Sequence, residues 1–439
     1  MISSVSSASM KHALHTASYI AWFTADTASQ ASATLHSLAI SLLTFTLTQS
    51  TVSAGWVGTA SLLAQLCTGV FGGTFVDRHD RKILLFTNSL LNTFGWGLLC
   101  ILLVIGKLDF TILLIFCVGL SAVQGFLSPA ADALLKSVIP LEDYAYARSI
   151  TEGRNAFLSL SGAPLSSILF TAAAWLPFFA STCLSALSSI ATPFIRPHAR
   201  SNGHTREHPQ TTSHSDFPQS RISHSSPSSR SSFLTDFSEG WTWTFHHSTL
   251  VRIIVAMSIV NFSINGIQYT IQLHLLSTGA SAISIGIISA GIASTMLLGS
   301  VLSARMSSFL HTGKAVCSSL IALPLLASAL LLSAHFIPTL AVNSLLGLPI
   351  PLMNALLLGF IFAKAPDTMQ GRLATTLTIP AQALSALCGA VAGSLLPILG
   401  YRMTLVTFSV PLILSALLCL CSAQIRRIPR AELWASTSL

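Results

Sequence analysis

Between Lys11 and Asp77 a single fixed charge stands alone, the carboxylate of Asp26. Apolar and hydroxylated residues surround it in a segment running from about 17 to 46. If a helix begins near Ala17, Asp26 lies nine residues in, about 14 Å along the axis. A charge at that depth of a bilayer costs about 2.5–3.5 kcal/mol or more, so it is usually kept for function. Burial favours the neutral form of a carboxyl group, which makes Asp26 a candidate for proton coupling. A later start of the helix would leave Asp26 at a wet end instead, and the sequence admits both. His36 is ten residues further on, off the Asp26 face, and reads as a packed neutral imidazole.

Other polar residues recur at helical spacing. Asp26, Gln30, Ser37 and Thr44 share one face at 100° per residue. So do Asn261, Asn265, Gln268 and Gln272. Ser121, Gln124 and Ser128 form a third set, and Asn343 and Asn354 a fourth. Polar side chains are costly against lipid and turn toward a bundle interior or water. These four sets therefore read as the walls of a central polar path, with helix-to-helix adhesion as the alternative for any one residue.

The segments that must carry them are long and apolar. Charged residues are 8% of the 439 and hydrophobic ones 52%, with a mean hydropathy of +0.71. Soluble domains carry about 25% charge. Lipid must cover this surface, so the chain is expected to be an all-α polytopic membrane protein. Twelve apolar segments, numbered here as spans 1 to 12, lie near 17–46, 54–75, 83–105, 110–131, 153–173, 176–195, 251–275, 281–303, 315–334, 337–362, 374–398 and 402–422. Residues 196–232 between spans 6 and 7 are rich in Ser, His, Pro and Arg and read as a disordered linker. Phe233, Phe237, Trp241 and Phe245 then form an aromatic stripe, expected on a helix lying in the membrane interface. The organisation is thus a six-helix bundle over 1–195, a cytoplasmic linker and amphipathic helix over 196–250, a second six-helix bundle over 251–424, and a tail over 425–439.

Placing the N-terminus in the cytoplasm puts 20 Lys and Arg on that side and only Lys107 and Arg402 outside. That bias accounts for the net charge of +8 without nucleic acid. All eight cysteines fall in or at the ends of spans with no CxxC pair, and the linker histidines lack tight metal spacing. No metal, cofactor or disulfide framework is expected. Nor is there a GxxxxGK[ST], HExxH or GxSxG motif, so this chain is expected neither to hydrolyse ATP nor to act as an enzyme.

The densest charge sits in GGTFVDRHDRK, residues 72–82, between spans 2 and 3. With a 6+6 organisation, this loop resembles the signature of the major facilitator superfamily, roughly G-x-x-x-D-R-x-G-R-K/R. Gly73, Asp77, Arg78, Arg81 and Lys82 match, and Asp80 stands where the family usually has Gly. The stretch 125–157, the pair Gly371–Arg372 in 365–375, and SFLTDFSEGWTW after the linker are similar to bacterial exporters of the macrolide-efflux and enterobactin-exporter type. Ser121 replaces the Arg of the R-x-x-Q-G motif of many proton-coupled members, and the Gly-Pro motif of span 5 survives only as Gly162-Ala163-Pro164.

The resemblance implies two pseudo-symmetric bundles that rock around a central site, giving alternating access. It implies a cytoplasmic latch in which Gly73 lets span 2 approach a neighbour and Asp77 faces the start of span 11 near Gly371 and Arg372. Arg78 and Arg81 would pair with acids among Glu142, Asp143, Glu152 and Asp367, favouring the outward-open state. The function implied is secondary export of a drug-like or amphipathic small molecule by a monomer in a bacterial inner membrane, with both termini cytoplasmic and protons as the candidate coupling ion. Uptake of a small solute and lysophospholipid flipping are the alternatives on the same fold, and a non-transporting receptor the remotest.

Overall fold

The computed structural model describes residues 16–76, 78–196, 242, 245, 248–306, 310–332, 335–364, 379–430, 433 and 434, and these are almost entirely helical. The linker, the stripe residues Phe233, Phe237 and Trp241, and Asp77, Asp367, Gly371 and Arg372 lie outside the described residues.

Local signals set the helix ends. Span 1 is a helix over Ala17–Thr48, opened by Thr16, whose hydroxyl accepts from Tyr19 N, and closed by Gln49 in the left-handed region at φ 52°. Span 2 follows at once, over Thr51–Val76. Span 3, Arg81–Val104, is capped by Asp80, whose Oδ1 accepts from Lys82 N at 2.8 Å and Ile83 N at 3.3 Å. This gives the departure at Asp80 a physical role, since a glycine could not bond those amides. Span 4 is two helices, Phe110–Leu127 and Pro129–Val138, and its repeat counterpart span 10 is also two, Phe336–Leu346 and Pro349–Lys364. In both, a proline opens the second piece, where its missing N–H costs nothing.

Among the described residues ten helical stretches are long and apolar enough to cross a membrane. One of them, Ile379–Cys421, turns at Gly400, where φ is +74°, and so holds both span 11 and span 12. The helix of span 5, Leu141–Ala172, is 32 residues long but carries its charges in its first half. That brings the spans to twelve. Span 5 thus begins well before the apolar segment at 153–173, because its first turns sit where charge is tolerated. Spans 6 to 9 are the helices Leu176–Ala191, Ser248–Ser277, Ala282–Met306 and Thr312–Ala329.

The fold is two bundles of six helices. Spans 7 to 12 share one large apolar core with few residues from the first half, among them Leu38, Leu42 and Ala54. The first half has smaller cores, one around Trp96, Leu99, Leu113 and Phe178 and another around Trp22, Leu134 and Leu135. Spans 2 and 11 pack together across the halves, as do spans 5 and 8. Both seams lie toward the face away from the termini, the far face. At the first, an added Cβ on Gly55 would overlap the Gly389 carbonyl, and Thr59 Oγ1 accepts from Ala390 N at 2.8 Å. At the second, Gly286 lies against Pro164 and Ser167.

Candidate functional site

Below the sealed far face lies a cavity of ≈ 410 Å³. Of the residues expected to face a central path, Gln30, Ser37, Ser121, Gln124 and Ser128 line it. His36, Ser61, Gln65, Asn92, Trp96 and, from the second half, Tyr269 join them. No Asp, Glu, Lys or Arg is among the described residues that line it.

A chain of amides fixes its back wall. Trp96 Nε1 donates to Asn92 Oδ1 at 3.2 Å, Asn92 Nδ2 donates to Asn88 Oδ1 at 3.2 Å, and Asn88 Nδ2 donates to Gln124 Oε1 at 3.3 Å. His36 stacks on Trp96 with ring centroids 4.0 Å apart. The imidazole is packed, as expected from sequence, and also forms part of the cavity wall. Ser61 Oγ is a buried polar atom with no hydrogen-bond partner among the described residues. Asn88 and Asn92 are contributors that the sequence reading missed. Their signal was present: Asn88, Asn92 and Trp96 recur every four residues on one face of span 3.

Asp26 lies one turn from the cavity-lining Gln30 and is buried, its side chain 8% exposed. It does not reach the cavity lining. Arg154 of span 5, 7% exposed, meets it with Nη2 2.6 Å from Asp26 Oδ2. The guanidinium also donates to Thr27 Oγ1 at 3.0 Å and to Asn155 Oδ1 at 2.9 Å, and lies over the Phe23 ring. Such a pair is tolerable in low dielectric because both charges are matched and the remaining donors satisfied. Arg154 is the second contributor the sequence reading missed, having been read only as a topology charge.

The second-half stripe is arranged differently. Asn261 Nδ2 and Asn265 Nδ2 each donate to the carbonyl four residues back, at Met257 and Asn261. Gln268 and Asn343 pair reciprocally, at 2.7 and 3.3 Å. Gln272 Nε2 and Asn354 Oδ1 are buried without partners among the described residues. None of these six lines the cavity.

At the terminal face, Arg78 is exposed. Arg81 Nη1 donates to the Ala133 carbonyl at 3.0 Å and Lys82 Nζ to the Pro193 carbonyl at 2.7 Å, tying span 3 to spans 4 and 6. Glu152 meets Arg148 at 3.0 Å, and Arg148 also holds Asp132 at 2.6 Å. Asp143 is buried within the span 5 helix, and the Glu142 side chain lies outside the described residues. Gly73 has nothing within 4 Å of an added Cβ, so it is not the point of close approach here. Its neighbour Gly72 is, against the Phe126 carbonyl, because consecutive helix positions point 100° apart and only one faces span 4.

Residues 22–381 match the model of the Major Facilitator Superfamily, and the chain belongs to that family. No curated protein matches the sequence. Among solved structures, the chain is similar to a bacterial homolog of the human lysosomal transporter Spinster, captured inward-facing and unoccupied, at TM-score 0.66 and 14% identity over 96% of this chain and 98% of that one. It is also similar to a variant of the nucleoside transporter NupG, at TM-score 0.64 and 9% identity over 91% of this chain and 99% of that one. At such identities the likeness is one of fold. The class is therefore that of multi-pass membrane proteins built for secondary transport by alternating access.

Proposed function

We propose that this protein exports a small organic molecule from the cytoplasm by alternating access, exchanging it for protons at Asp26. One observation carries the reading: a closed far face above a central cavity of ligand size. The efflux-type resemblance of 125–157 supports the outward direction and a bacterial inner membrane, and the Lys and Arg bias supports cytoplasmic termini. With both termini cytoplasmic, the packed far face is external, which supports reading this conformation as one closed to the outside. A latch that holds the outward-open state would then be released, which agrees with Glu152 being engaged by Arg148 and with Arg78 being exposed. Most residues lining the cavity carry hydroxyl, amide or imidazole groups, which favours a polar solute over a lysophospholipid.

Reconstituted vesicles test this. Flux of a screened solute should rise with an imposed pH gradient in the wild type. In Asp26→Asn it should lose that dependence while the protein still inserts. Gradient-dependent flux unchanged in Asp26→Asn would remove Asp26 from coupling. Asp77→Asn should cut flux without loss of insertion, and normal flux would sink the latch.

A further inference from the structure

The central cavity departs from ordinary ligand sites, which are lined mainly by apolar side chains with a few polar ones. Here most lining residues carry hydroxyl, amide or imidazole groups, and Asp26, one turn from the lining Gln30, is withdrawn into its pair with Arg154. An ionised substrate would leave water without a counter-charge to meet it, at a cost that neutral dipoles do not fully offset.

The amide chain adds direction. An indole N–H can only donate. Trp96 therefore requires the oxygen of Asn92, which turns the Asn92 NH₂ toward Asn88. The Asn88 NH₂ is turned in the same sense toward Gln124 Oε1. Each amide's orientation is set by the one before it. The last, Gln124, has its carbonyl consumed inside the wall, and its Nε2 has no partner among the described residues. A further polar atom of the lining, Ser61 Oγ, is buried without a partner among the described residues. Gln124 Nε2 is a donor on the cavity lining without a protein partner among the described residues, so a ligand acceptor placed against it gains a hydrogen bond fixed in direction by the amide chain.

We infer that this cavity selects an uncharged, hydrogen-bond-rich solute, and that Gln124 presents its amide N–H to an acceptor on it. Hydroxyl, carbonyl or ring-nitrogen groups on a sugar-like or nucleoside-like molecule fit that demand. Lipophilic cations and organic anions do not. The inference rests on the reading of the cavity as the transport site, and it narrows the substrate from drug-like compounds in general to neutral polar ones.

The full chain in lipid nanodiscs decides it by ligand-induced thermal stabilisation and equilibrium binding. The panel is a set of neutral nucleosides and glycosides, tetraphenylphosphonium as the lipophilic cation, and p-aminohippurate as the organic anion. At least one neutral compound should bind, the two ions should not, and Gln124→Leu should weaken the neutral compound at least tenfold. Gln124→Glu, which keeps the shape and loses the N–H donor, guards against a packing defect and should weaken it as much. Tight binding of either ion, no binding within the neutral set, or full affinity in Gln124→Glu would each overturn the inference. Neutral binding without vesicle flux would leave it standing and sink the transport reading. Flux of an ion would do the reverse.

Discussion

The two halves of this molecule carry the same kind of residue on related helices and put it to different use. In span 1, Gln30 and Ser37 face an open cavity, and a buried ion pair sits one turn away. In span 7, Asn261, Asn265 and Gln268 are satisfied by their own backbone or by Asn343 of span 10, while Gln272 Nε2 is buried without a partner among the described residues. The first half carries most of a polar cavity and a buried ion pair at depth. The second is a continuous apolar core crossed by one amide pair. Repeat symmetry preserves the fold of the two bundles without preserving the chemistry of equivalent faces. A transporter that rocks one half against the other needs one face that receives a ligand and one that is rigid enough to lean on.

The sharpest break of this contrast is at Arg154. Arg154→Gln should strand a carboxylate in low dielectric, at about 3–5 kcal/mol for loss of one partner of a buried pair. Removing both charges, in Asp26→Asn with Arg154→Gln, should recover most of that stability. The measurement is thermal unfolding in nanodiscs of the two single variants and the double. If the double is no more stable than Arg154→Gln alone, the pair is not the unit that the geometry describes. Nothing between the described residues of the second half should respond this strongly, because no two of them form a buried ion pair of this kind.

The same contrast shows what could be read from the sequence. Twelve spans, two halves and the family were legible because length, hydropathy and one charged loop are local signals. Asp26 was legible as a lone carboxylate in an apolar segment. Arg154 was not, since it lies at the edge of the 153–173 run and reads as one of many cytoplasmic charges. Only the helix starting at Leu141 carries it, between three and four turns from its start, into the bundle. The stripes were equally legible in both halves, but periodicity gives a face and not what that face meets. Asn88 and Asn92 were overlooked although their spacing matched the stripe in span 7. Asp80 was visible as a departure from the family, and its reason appeared only when its carboxylate met two backbone amides.

A smaller effect tests the second half. Gln268 and Asn343 satisfy each other away from the cavity, so they should behave as structure. Gln268→Leu alone leaves the Asn343 amide buried and unpaired, at about 1–3 kcal/mol. Gln268→Leu with Asn343→Leu removes both polar groups and should be nearly neutral. Flux per folded molecule should be unchanged in the double variant, as read in vesicles normalised to protein that survives heating. Lost flux in a stable double variant would give span 7 a role in transport and erase the distinction between the halves.

The smallest effect lies at the loop where the two repeats are most easily aligned. Asp80 caps span 3 with its side chain, whereas His311, in the same position before span 9, makes no side-chain cap. Asp80→Ala should cost about 1 kcal/mol, the ordinary loss of an N-cap. His311→Ala should cost less, because no cap bond is removed. Asp80→Gly restores the residue usual in the family and should cost only a few tenths of a kcal/mol, since glycine is itself a fair N-cap. Melting temperatures of the three variants decide the order. Equal losses at Asp80 and His311 would make the capping bonds irrelevant to stability. A loss of flux in Asp80→Gly without a fall in melting temperature would place Asp80 in the latch rather than in the helix start, and the loop would then owe its charge pattern to gating at every position.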